Sequence, residues 1–139
     1  MASITETAMA FFEACEAGKG WAACAAHCHP EAGFDAQAEP LADTRTLRDY
    51  CEWMKGLMGF MPDGRYTLKS FATDVARGCV VAVATFHGTH TDPGGPMAPT
   101  GRHTDTDYVY AMQFEDGRIR HMTKVWNAGW AMRELGWTA

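Results

Sequence analysis

Proton transfer near neutral pH calls for an imidazole or a perturbed carboxyl set beside hydrogen-bond donors, and two residues of this chain stand out. An imidazole suits that range, which singles out His121, and Tyr108, Tyr110 and Asn127 are spaced to orient it or a ligand beside it. Asp35, on a short extended piece from Gly33 to Gln37, is the second candidate. Among Phe, Trp and Met side chains its carboxyl would be raised by desolvation toward the range of a general acid or base. Gln37 alternates with Asp35 and shares its side, where an amide can donate to a carbonyl oxygen. His121 and Asp35 are therefore the candidate catalytic groups. The plain alternatives are a core histidine satisfied by a tyrosine hydroxyl and a solvated aspartate before a loop.

Metal-ligand groupings are weaker. Cys24, His27, Cys28 and His29 fall at spacings that share a helix face, but no second ligand pair follows at a recognised spacing. Five cysteines in an odd count read as buried free thiols, Cys51 and Cys79 among them. His87, His90 and His103 gather with Asp92 and Asp105 around a Pro/Gly-rich stretch, and strand alternation puts His87 and His90 on opposite faces. At most one of them points inward, and His90 joins the candidate substrate contacts. No resident metal is expected.

The elements that must position these groups read as helices first and strands afterwards. Ile4 to Ala17 carries an apolar stripe of Ala8, Phe11, Phe12 and Cys15, with Ser3 or Thr5 to start it and Gly18 and Gly20 to stop it. A short Ala-rich helix, Trp21 to Cys28, ends at His29-Pro30. A third helix, capped by Asp43 or Thr44, shows Leu47, Tyr50, Cys51, Met54, Leu57 and Met58 on one face and stops near Gly59. From Arg65 the period becomes extended. Tyr66 to Val75, Cys79 to Thr91, Asp105 to Phe114 and Ile119 to Asn127 are strand candidates, with hairpin turns at Arg77-Gly78 and Asp116-Gly117. The segment 92–101 is too rich in Pro and Gly to pair, and reads as a surface loop beside a cavity mouth, a lid or a plain connection.

A type I′ turn at Asp116-Gly117 pairs Glu115 with Arg118 and sets the faces of the last two strands. One face then carries Thr106, Tyr108, Tyr110, Met112 and Phe114 opposite Ile119, His121, Thr123, Val125 and Asn127, and should meet the helices. The other carries Val109 and Ala111 opposite Met122, Lys124 and Trp126, which suits a subunit interface with a polar rim. The tail, with Trp130, Met132, Leu135 and Trp137, is placed to close one end of the core or cross to a partner. Trp53 and the methionines around it form the densest apolar run, and Trp53 is a candidate ligand contact.

Composition bounds the function. With 139 residues, 47% hydrophobic and 12% aromatic, the chain suits one domain, 1–139, with enough large apolar surface to line a cavity as well as fill a core. A formal charge of -5 with scattered basic residues argues against nucleic acid and anionic membranes as partners. The N-terminal residues lack the basic and apolar regions of a signal peptide, and a cytoplasmic location is expected.

Gly88-Thr89-His90-Thr91, Pro99-Thr100-Gly101-Arg102, Asp116-Gly117-Arg118-Ile119 and Val125-Trp126-Asn127 together resemble the SnoaL-like polyketide cyclase family, within the nuclear transport factor 2-like, or cystatin-like, superfamily. The resemblance implies an α+β cone: a curved antiparallel sheet wrapped around N-terminal helices, enclosing an apolar pocket. It also implies a homodimer through the outer sheet face. The chemistry it implies is that of a cofactor-independent lyase or isomerase acting on a small hydrophobic carbonyl compound. In that family a carboxylate shortly after the last strand's tryptophan serves as base, yet here Trp126 is followed by Asn127, Ala128, Gly129 and Trp130. A non-catalytic small-molecule-binding or dimerisation domain is the competing expectation.

Overall fold

The computed structural model describes residues 2–138. Helix α1, Ile4–Glu16, begins with a capping box in which Ser3 and Glu6 satisfy each other's backbone N–H groups. It buries Ala8, Phe11, Phe12, Cys15 and Glu16, and Gly18 turns the chain away at φ +71°. The second helix is shorter than its alanine content suggests: α2 covers Trp21–Cys24 and passes through a 3-10 turn, Ala25–His27, straight into strand β1, Cys28–Ala36. Helix α3, Leu47–Phe60, is capped by the Thr46 hydroxyl, which accepts from the Asp49 N–H at 3.1 Å. Strands β2 (Arg65–Asp74), β3 (Cys79–Thr89), β4 (His103–Glu115) and β5 (Arg118–Trp126) follow, and helix α4, Ala128–Glu134, ends the fold.

The sheet order is β1-β5-β4-β3-β2. Strands β2 to β5 form the expected antiparallel meander, but β1 pairs with β5 in parallel, so the sheet is mixed. The brief extended piece read around Asp35 is thus part of a nine-residue edge strand. Its inner face and those of β3 to β5 pack on α1 and α3 around Phe11, Phe12, Phe34, Tyr50 and Met54. This is an α+β fold. No helix among the described residues is long and apolar enough to cross a membrane.

One irregularity decides which β5 side chains reach the inner face. The Asp116-Gly117 turn has the two positive φ angles of type I′, 53° and 78°, and Glu115 does pair with Arg118 and Phe114 with Ile119. The register then shifts: Gln113 lies opposite His121, leaving Arg120 as the extra residue of a β-bulge. A shift of one residue sends every later side chain to the other face. Ile119, Met122 and Lys124 are buried on the inner side, while His121 and Thr123 are half-buried and Val125 exposed on the outer one. Ile119 keeps its expected inner place, ahead of the bulge, whereas Met122 and Lys124 were expected outside and His121, Thr123 and Val125 inside. On β4 the expected face holds, and Thr104, Thr106, Tyr108, Tyr110 and Met112 are all buried.

Candidate functional site

Glu16 and Lys124 are the two charged residues carried to the centre of the inner face, at 4% and 5% exposure. Glu16 ends α1, where the partial negative charge of the helix C-terminus opposes a carboxylate, so it needs donors. They come from β4: the hydroxyls of Tyr108 and Tyr110 donate to Oε1 and Oε2 of Glu16, one to each oxygen. Lys124 Nζ donates to Tyr50 Oη at 2.9 Å, and Tyr50 Oη lies 2.6 Å from Tyr110 Oη. A phenol has one proton to give, and that of Tyr110 is committed to Glu16, so Tyr50 donates to Tyr110. A single directed chain results: Lys124 ammonium, Tyr50, Tyr110, Glu16 carboxylate.

The electrostatics follow from burial. Glu16 is raised above the ordinary glutamate value because burial disfavours its charge, with Lys124 and the two tyrosine hydrogen bonds pulling partly the other way. Lys124 is lowered to about 8, again by burial, with Glu16 resisting. All three phenols are pushed up, first by burial, and stay protonated as donors. Ring faces surround the ammonium, its nitrogen lying 4.7 Å from the Trp126 centroid, 4.9 Å from Tyr50 and 5.3 Å from Trp53.

Both residues line a narrow, mainly apolar cleft with about 30 Å³ of free space, whose walls include Trp53, Leu57, Phe86, Tyr108, Trp126 and Trp137. A wider groove of about 590 Å³ shares Trp53, Leu57 and Trp137 with it, and adds Gly94, Gly95 and Pro96 of the Pro/Gly loop. The loop thus borders that groove. The tail closes the cleft: Glu134 accepts from the Thr104 hydroxyl and the Asp105 N–H at 2.8 and 2.9 Å. Trp137 Nε1 donates to His90 Nδ1 at 3.0 Å.

The sequence-derived candidates divide sharply. Tyr108 and Tyr110 are on the inner face, and Trp53 lines both cavities. His90 is fully buried behind Gly95 and Trp137, with its Nε2 unpaired among the described residues, while His87 lies on the opposite face as alternation required. His121 and Asp35 do meet, Nε2 to Oδ1 at 2.6 Å, and Thr123 also donates to Asp35 at 2.8 Å. They meet outside, with side chains 30% and 55% exposed, and neither lines the cleft. The bulge at Arg120 is the reason for His121, and the parallel pairing of Asp35 with Thr123 for its partner. Gln37 and Asn127 are exposed, Asn127 beside Asp107 on the outer side. Met122 and Trp126, expected outside, belong to the core and the cleft wall.

Glu16 and Lys124 were missed by sequence reasoning, though each left a signal. Glu16 follows Phe12 by one helical turn on the apolar stripe of α1, and Lys124 alternates with Met122 and Trp126 on β5. Two clusters with ligand-type atoms also form among the described residues, Cys15 with Cys24 and Cys51 in the core, and His87 with His103 and Asp105 on the sheet. Neither is the Cys/His set of the short helix.

Residues 8–122 match the model of the SnoaL-like domain, and the chain belongs to that family. A SnoaL-like protein of Jannaschia, a proposed polyketide cyclase, superposes with a TM-score of 0.79 at 15% identity, covering 98% of this chain and 93% of its own. IdmH, a proposed polyketide cyclase from Streptomyces antibioticus, gives 0.77 at 19% identity, covering 97% and 99%. AclR, a proposed hydroxylase from Streptomyces galilaeus, gives 0.77 at 19%, covering 98% and 97%. At such identities the likeness shows a common fold. No curated protein matches the sequence.

Proposed function

We propose that the protein is a lyase or isomerase that moves a proton next to the carbonyl of a small hydrophobic compound, with Glu16 as the general acid and base. The observation that supports this most is a carboxyl and an ammonium joined through tyrosine hydroxyls and lining one apolar cleft, each shifted by burial toward neutrality. A substrate entering past Trp53 and Trp137 would lay its carbonyl against Lys124, which spends one N–H on Tyr50 and has no other hydrogen-bond acceptor among the described residues. Glu16 takes the proton from the adjacent carbon, and Lys124 stabilises the enolate oxygen that develops. Return of the proton at another position gives an isomer, and expulsion of a leaving group gives elimination. Side chains supply every element of this step. It places the base on α1, away from the position after Trp126 that the family uses.

The test is hydrogen–deuterium exchange at the α-carbon of a panel of small aromatic and aliphatic ketones in D2O, followed by NMR. Wild-type protein should accelerate exchange of at least one ketone, and Glu16→Gln should lower that rate by about 10²- to 10⁴-fold. Binding without acceleration would support the non-catalytic alternative. A homodimer through the outer sheet face is also proposed, because Val81, Val83, Val109 and Ala111 are only partly covered there and Val125 is 62% exposed. Light scattering on the eluted protein decides it.

A further inference from the structure

We propose that Lys124 is a nucleophilic amine able to form an imine with small aldehydes or ketones in the cleft, so that the protein can hold a carbonyl compound covalently. The proposal rests on the same reading of the site and extends it from proton transfer to covalent binding. Its geometric basis is the directed chain from Lys124 through Tyr50 and Tyr110 to Glu16, together with the lining of one cleft by both ends of that chain.

A proton passed along that chain converts the separated ammonium and carboxylate into a free amine and a neutral carboxylic acid, the two partners that imine formation needs. The groups facing Lys124 are Glu16 and Cys15 on α1, Tyr50 on α3, and Tyr108 and Tyr110 on β4. Glu16 is the carboxyl among them, raised by burial and drawn partly back by Lys124 and the tyrosine hydroxyls, and the thiol of Cys15 is pushed well up by burial. Ring faces favour the ammonium, burial disfavours it, and the balance leaves the amine at about 8 against its ordinary 10.5.

The step balances without any co-reactant. The Lys124 nitrogen pair forms a bond to the carbonyl carbon, the carbonyl π pair moves to oxygen, and that oxygen takes the proton of Glu16. The nitrogen of the resulting carbinolamine returns a proton to the Glu16 carboxylate. Glu16 then protonates the hydroxyl, the C–O bond breaks, water leaves, and the nitrogen pair closes the C=N bond. The products are a protonated imine, a carboxylate and water, so the net charge of the site is unchanged.

The chain contains four lysines, and Lys19, Lys55 and Lys69 are exposed, which makes them internal controls. Propanal with sodium cyanoborohydride at pH 7, quenched at short times and mapped by peptide mass, compares all four in one sample. Relative to an exposed lysine near 10.4, an amine near 8 has a free-base fraction about 250-fold larger at pH 7. Its lower basicity returns part of that gain, so Lys124 should be alkylated about tenfold faster than the exposed three. The preference should vanish in urea, where all four are equivalent. Labelling of Lys124 at or below the rate of the exposed lysines in the folded protein would overturn the proposal. If that happens while Glu16→Gln still abolishes ketone exchange, the acid–base reading stands and the covalent one falls.

Discussion

Lys124→Met removes the cation of the buried pair while keeping a side chain of similar length, and leaves Glu16 in the core with its two tyrosine donors. A buried carboxylate without its counter-charge escapes by taking up a proton. With an unfolded value of ~4.3, holding that proton at pH 7 costs about 4 kcal/mol, which caps the electrostatic loss. Relief of the burial of Lys124 itself offsets part of this, so we expect a net loss of about 2–4 kcal/mol at pH 7. The folded state binds the Glu16 proton more tightly than the unfolded chain. Its contribution is therefore fully present below the unfolded value and is lost as pH rises toward the folded one. The cap falls by about 1.4 kcal/mol for each unit of acidification and is only about 1 kcal/mol at pH 5. Urea denaturation of wild type and variant at pH 5 and 7 reads the difference directly. A loss below about 1 kcal/mol at pH 7, or one that does not shrink at pH 5, would refute the coupling between Lys124 and Glu16. Adding Glu16→Gln to Lys124→Met should return part of the loss, since no charge is then stranded.

Other outcomes follow from the same geometry. Tyr50→Phe cuts the chain between its charged ends while keeping the ring on Phe34, so it should slow ketone exchange about tenfold or more and cost about 1–2 kcal/mol of stability. Rates and urea midpoints of that one variant measure both. Gly33→Ala tests the bulge, because a Cβ there would lie 2.6 Å from the His121 ring. It should destabilise by about 1–3 kcal/mol, and His121→Ala in the same chain should recover most of that. Full cost in the double variant would contradict the pairing of Gly33 with His121.

How much was legible beforehand differs between fold and site. The stripe of α1, the face of α3 and the Asp116-Gly117 turn are local signals, and each element formed within a few residues of where periodicity put it. The parallel pairing of β1 is a long-range event that no local pattern in residues 28–36 announces. Arg120 carries no mark of a bulge, yet that single extra residue exchanged His121 for Lys124 on the inner face and so exchanged the apparent catalytic group. Tyr108 and Tyr110 were found because β4 is regular. Glu16 was passed over because a charged residue at a helix end ordinarily belongs to solvent, and only the tyrosines from β4 make its burial tolerable.

The central claim is that proton transfer belongs to Glu16 inside the cleft rather than to the exposed His121–Asp35 pair. Ketone α-proton exchange with Glu16→Gln and His121→Ala measured side by side tests it most directly. Glu16→Gln should lose at least about 100-fold, and His121→Ala should stay within about twofold of wild type. Exchange that survives Glu16→Gln but is lost in a folded His121→Ala protein would contradict it.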